Sequence, residues 1–277
     1  MRSTAPQGDD TAEIFLDRLH YGKLASGATL RIPAAEGYGV TRRSRNLRAE
    51  DDRLLSPPRL TGLRRLEAER IDPAARRLGG LLARVAPEQE SRRAVFLRAR
   101  FRPEDGEGGQ GRLYQQSAIW IVSSAEWRRH PAALLAMAGA DLEARPDLVT
   151  QDQASRFGDG PLSYLVRRVD PRDAWSAQEE ALEKARWAAP TLEFLARGAE
   201  RGEDATFTFG ADDFASEADF LAAMGLALQF LPMSYPRWRE ISVVSGLRCA
   251  PQGLCLRYLP SLRAAASADA RSASVAA

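Results

Sequence analysis

The chain has 277 residues, 44% of them hydrophobic, which is enough length and apolar content for one large folded domain. Its 39 bases nearly cancel 37 acids, so the net charge of +2 argues against an all-over polyanion binder and leaves local basic patches open. Two cysteines (Cys249, Cys255) and two histidines (His20, His130) do not fall at zinc-finger spacing, and no phosphate-loop, His-Glu-x-x-His or Gly-x-Ser-x-Gly motif is present. The expectation is a protein with no metal, no cofactor and no recognisable catalytic motif.

Residues 1–12 read as a flexible lead and 13–24 as a strand entering the fold. Ala28–Ile32 reads as its partner across the Ser26-Gly27 turn, and Tyr38–Thr41 continues the sheet. Ser44 or Asn46 is placed to cap a short helix through Leu55, with Glu50, Asp51 and Asp52 in its first turns, where the helix dipole favours acids. Pro57-Pro58 should end it, and residues 74–86 suggest a second short helix.

Ala94–Arg102 is the clearest strand. Val95, Leu97, Ala99 and Phe101 share one face and Phe96, Arg98, Arg100 and Arg102 the other, which predicts one buried and one wet face. After an acidic, glycine-rich tip at 103–111, Arg112–Ser123 returns with Ile119, Trp120, Ile121 and Val122, a run suited to burial on both faces. Pro131–Ala138 suggests a short helix. Ser176-Ala-Gln-Glu179 is a capping box opening a helix toward Ala199 that Pro190 should kink or split. Ser216-Glu-Ala-Asp219 opens a further helix, apolar nearly all round and hence central, which Pro232 stops.

Glu240–Arg248 and Leu254–Leu259 read as a terminal hairpin around Pro251-Gln252-Gly253. The apolar register places Cys249 and Cys255 on opposite faces, without a disulfide. Residues 263–277 read as a disordered tail. The expected class is α+β, a mainly antiparallel sheet with helices packed on it. It forms one domain over 13–262, with a subdivision near 140–175.

The first ten residues carry no apolar leader segment and no stretch is long enough to span a membrane, so the expected location is the cytoplasm. The strongest recognition signal is Gly37-Tyr38-Gly39-Val40-Thr41-Arg42-Arg43-Ser44-Arg45-Asn46, followed by Arg48, with no acid before Ala49. Arginine grips carboxylate and phosphate in a planar fork. Tyr38, Arg42, Arg43, Ser44 and Arg45 are therefore candidate binding residues for a phosphate, an acidic partner or nucleic acid. The competing reading is a solvated turn with Arg43 or Arg45 paired to Glu50 or Asp51. Trp238, between Pro236 and Arg239, is a candidate interface anchor. The Arg98, Arg100, Arg102 stripe is either a polyanion track or an ordinary wet face. His20 and His130 have no telling partner for general-base work.

Leu19-His-Tyr-Gly22 with Gly37-Tyr-Gly39 and Arg43-Ser44, the strand Leu113–Val122 followed by Trp127, and Phe230-Leu-Pro232 leading to Trp238-Arg-Glu-Ile-Ser-Val243 together resemble the N-terminal domain of bacterial GTPase-associated proteins, type one. Those proteins are encoded beside small MglA-like GTPases in conflict or defence systems. The resemblance spans about 13–260 and implies a partner-binding adaptor or regulator, not a catalyst. Where the family pattern has a Gly-His segment, this chain has Arg42-Arg43-Ser44. A nucleic-acid-binding module and a hydrolase built on His20, a carboxylate and arginines are the alternatives.

Overall fold

Alternation fixes the middle of the molecule. In β4 (Arg93–Pro103), Val95, Leu97 and Ala99 lie on one face and Ala94, Phe96 and Arg98 on the other. This strand pairs antiparallel with β5 (Leu113–Ser123) from Arg93↔Ser123 to Pro103↔Leu113. The structure, a computed structural model, describes residues 11–23, 38–44, 46–64, 66–75, 79–87, 92–103, 113–139, 162–167, 185–232 and 234–262. The expected strand at 28–32, the hairpin tip, the capping box at 176–179, the tail and most of the expected subdivision lie outside these residues.

Around β4 and β5 lie β1 (Thr11–Lys23), β2 (Tyr38–Arg43), β3 (Gly80–Val85), β6 (Leu162–Arg167), β7 (Ala205–Phe209), β8 (Ile241–Ser245) and β9 (Leu254–Tyr258). The strand order is β2-β1-β5-β4-β3-β8-β9-β7, with β6 paired to β1. β1 starts two residues earlier than the sequence suggests. Helices cover one face: α3 (Ser124–Arg129), α4 (Pro131–Gly139), α5 (Ala188–Arg201) and α6 (Glu217–Gln229). The other face carries α1 (Ala49–Leu54), α2 (Pro57–Thr61), two 3-10 turns at Ala68–Arg70 and Pro73–Ala75, and the segment 246–253. The fold is α+β, with a mostly antiparallel sheet buried on both sides.

Local signals account for several of these elements. Ser216 caps α6, its Oγ accepting the Asp219 N–H at 3.1 Å, and Glu217 and Asp219 occupy the first turn, where the helix dipole favours acids. Ser123 caps α3 in the same way by accepting from Glu126 N–H, a Ser-x-x-Glu pattern that the sequence reading passed over. α1 ends at Leu54, just ahead of Pro57-Pro58 as expected, and the two prolines also open α2, where a missing N–H is harmless. Pro190 likewise falls in the first turn of α5, so it starts the helix instead of kinking it.

Two expectations are corrected. Residues 74–86 form no helix: Pro73–Ala75 is a 3-10 turn, and Gly80–Val85 is strand β3, buried at every position between β4 and β8. A strand covered on both faces shows no period in its sequence. The terminal strands form no hairpin either. β8 and β9 run parallel, Ile241↔Leu254 to Ser245↔Tyr258, and β7 pairs parallel on the other side of β9.

Parallel neighbours ordinarily need a crossover of roughly a dozen residues. Here the crossover is residues 246–253, which return over the face opposite the helices, with Leu247 bridged to Ile71. Gly246 (φ 64°) and Gly253 (φ 101°) make so short a path feasible, since both turn through the left-handed region that other residues avoid. The crossover also brings Cys249 into the same apolar cluster as Cys255, against the register expected from the sequence. Both thiols are buried and free, and burial pushes Cys255 up to about 11.

The wet arginine face expected on β4 fails at Arg98, while Arg100 is partly exposed. Arg98 is 6% exposed beneath the helices. Its Nη1 donates to both Glu217 carboxylate oxygens at 2.9 and 3.0 Å, and its Nη2 donates to the Ala138 carbonyl at 2.9 Å. This arginine ties the start of α6 and the end of α4 to the sheet. Removing one partner of such a buried pair strands the other, which costs about 3–5 kcal/mol.

Candidate functional site

The candidate arginine segment begins in β2, at the end of the strand order, and leaves the sheet at Ser44. The ladder with β1 pairs His20 with Arg42 and Leu19 with Arg43. His20 and Leu19 belong to opposite faces of β1, so arginines contiguous in sequence take register positions on different sides of the sheet. The next pair would be Arg18 with Ser44. The Ser44 N–H does donate to the Arg18 carbonyl at 2.8 Å, but the Arg18 N–H donates to the Ser44 hydroxyl at 2.7 Å instead of to its carbonyl. That frees the Ser44 carbonyl to accept from Leu47 N–H at 3.1 Å, which turns the chain toward α1. Ser44 is thus a strand terminator, 3% exposed, and does not cap α1; Arg48 takes the cap position.

Behind this exit lies a part-buried acid–base cluster, in which Asp51 is buried and Arg93 half-exposed. Asp51 of α1 pairs with the Arg93 guanidinium through one carboxylate oxygen, and the other accepts the Arg48 N–H at 2.6 Å. Asp17 of β1 is adjacent. Burial pushes its carboxyl above the usual value of 3.8, and the Asp51 charge adds to the rise. Arg93 and hydrogen bonds with Ser44 and Asn46 pull it down, but by less. Asp17 Oδ1 is buried without a hydrogen-bond partner. Of the two acids expected to neutralise Arg43 or Arg45, Glu50 and Asp51, Asp51 is engaged by Arg93. Two carboxylates sharing one guanidinium hold α1 and the β2 exit against β1 and β4.

Of the other sequence-nominated residues, Tyr38, Arg42 and Arg43 have their backbones in β2, and Arg45 lies outside the described residues. Trp238 is 5% exposed, its ring centroid 6.2 Å from that of Trp127, so it belongs to the core and offers no surface anchor. His20 sits within β1, and His130 lies between α3 and α4 with Nε2 3.6 Å from Glu126 Oε2. The hydrolase alternative needs His20 and a carboxylate in one cleft, but Asp17 faces the α1 side and His20 the helix-covered side. Among the described residues, no group of His, Cys, Asp or Glu could hold a metal ion, and no helix is long and apolar enough to cross a membrane.

Sequence reasoning missed Asp17 and Arg93, and took Asn46 only as a helix cap; the three are separated along the chain and brought together by the fold. Their signal was faint: an acid at an inward position of a strand, opposite Ile121. No protein-family model, no curated protein and no solved structure matches this chain.

Proposed function

We propose that this chain is a non-enzymatic adaptor that binds an acidic protein partner through the β2 strand and the turn that follows it. The observation that carries the reading is the exit of the chain at Ser44, directly after Arg42 and Arg43, from the last strand in the order, clamped by the two Arg18–Ser44 hydrogen bonds. An end strand offers backbone groups and side chains for pairing with another chain. Arginines on such an element favour a carboxylate-rich surface and steer its approach. The resemblance to GTPase-associated proteins adds a small GTPase as the partner to try first. With Arg98 buried and paired, the polyanion track along β4 loses its first residue, so a nucleic-acid ligand becomes an outcome of the test.

The test is affinity purification from native lysate with quantitative mass spectrometry. The reading expects one protein recovered near stoichiometry and released as salt rises. Recovery of nuclease-sensitive material in place of a protein, or of no specific protein at all, contradicts it.

A further inference from the structure

A second site is marked by orphaned donors under the helices. Indole offers one N–H donor and no acceptor, and guanidinium offers only donors. The buried Trp127 Nε1, Arg128 Nη2 and Trp238 Nε1 have no hydrogen-bond partner, and Trp120 Nε1 is a fourth such donor on the same face. Buried polar groups are almost always paired, so several unpaired groups of one sign in one neighbourhood call for an explanation.

Proximity joins them. The Trp127 and Trp238 ring centroids lie 6.2 Å apart, and the Arg128 guanidinium carbon stands 5.7 Å from the centre of the Trp238 ring. Phe96, the cross-strand partner of Trp120, meets Trp127 edge-on at 5.3 Å. Trp120, Trp127 and Trp238 are 2%, 1% and 5% exposed, and Arg128 is the partly exposed member that reaches the surface. Neighbouring Arg129 and His130 both turn to Glu126, which leaves Arg128 as the cation of the group.

We infer that Trp127, Arg128 and Trp238 form a binding site for a carboxylate. The group needs acceptors and one negative charge. A carboxylate supplies two acceptor oxygens in the plane that a guanidinium fork matches. Its single charge balances Arg128, whereas a phosphate carries more charge and more hydration than a site walled by two indole rings can compensate. Cation–π attraction holds the Arg128 guanidinium over the Trp238 ring.

The test uses the full chain and acetate as the probe, titrated at constant ionic strength. Indole N–H resonances are assigned by Trp→Phe substitution, and inorganic phosphate serves as the control. The Trp127 and Trp238 indole protons should move downfield and saturate with acetate. Arg128→Met should weaken the apparent affinity by about tenfold or more. Arg128 makes no ion pair among the described residues, so that variant should keep its melting temperature; if it melts early, Arg128→Lys retains the charge, loses the fork and should show the same weakening. Absence of saturable shifts, equal titration in the variants, or phosphate acting as well as acetate would overturn the assignment.

Discussion

β4 and β2 both carry clustered arginines, and their fates differ. β4 lies between β5 and β3 under the helices, and Arg98 there is an internal tie between Glu217 and the Ala138 carbonyl. β2 lies at the end of the strand order, and its arginine run leaves the sheet at a serine that ends the ladder. The comparison teaches that position in the sheet decides an arginine's work more than alternation along the strand does. A central arginine must be neutralised to be buried at all.

The largest expected effect lies in the central strand. Arg98→Ala leaves Glu217 and the Ala138 carbonyl unmet below the helices and should destabilise the fold by about 3–5 kcal/mol in chemical denaturation. Arg98→Met with Glu217→Gln together should recover much of that loss, since the stranded charge is removed. A loss below about 1 kcal/mol in the single variant would place Arg98 with ordinary surface arginines.

Ser44→Ala comes next. It leaves the Arg18 N–H without its acceptor and should cost about 1–2 kcal/mol, with faster amide exchange at Arg18 and Leu47. Exchange that stays unchanged at both amides would contradict the terminator role.

Asp17→Asn should act in the opposite direction. The folded carboxyl holds its proton more tightly than the unfolded one, so the folded state binds more protons in the window just above pH 3.8. Stability from this group is therefore greatest below that window and is lost as pH rises through the folded value. The amide variant should melt higher than the parent at pH 7 and no higher at pH 3.5. A lower melting temperature at pH 7 would mean that the Arg93 and Ser44 contacts outweigh burial.

The smallest effect belongs to Arg197→Ala, which removes an exposed i,i+4 pair with Glu193 on α5 and should change stability by about 0.5 kcal/mol or less.

Much of the fold was legible wherever a local rule acts alone. Alternation marked β4, and the Ser216–Asp219 cap marked α6. The misses share a cause, which is that tertiary context replaced the local signal. Gly80–Val85 is covered on both faces and so shows no period. β8 and β9 looked like a hairpin because Pro251-Gln252-Gly253 is sound turn chemistry, yet the chain crosses over and pairs in parallel. In the candidate site, the arginine run and Ser44 were visible in sequence, but Ser44 proved to be an internal clamp and Trp238 a core ring. The Asp17–Asp51–Arg93 cluster and the orphaned indoles needed three dimensions, because their members come from separate elements and none is unusual alone.

The sharpest measurement is partner capture by the triple variant Arg42→Glu, Arg43→Glu, Arg45→Glu, with Ser44 retained and the melting temperature followed in parallel. The account predicts that the partner recovered by the parent chain is lost while melting shifts by no more than a few degrees. Partner recovery equal to that of the parent, in a variant that is folded, would contradict it.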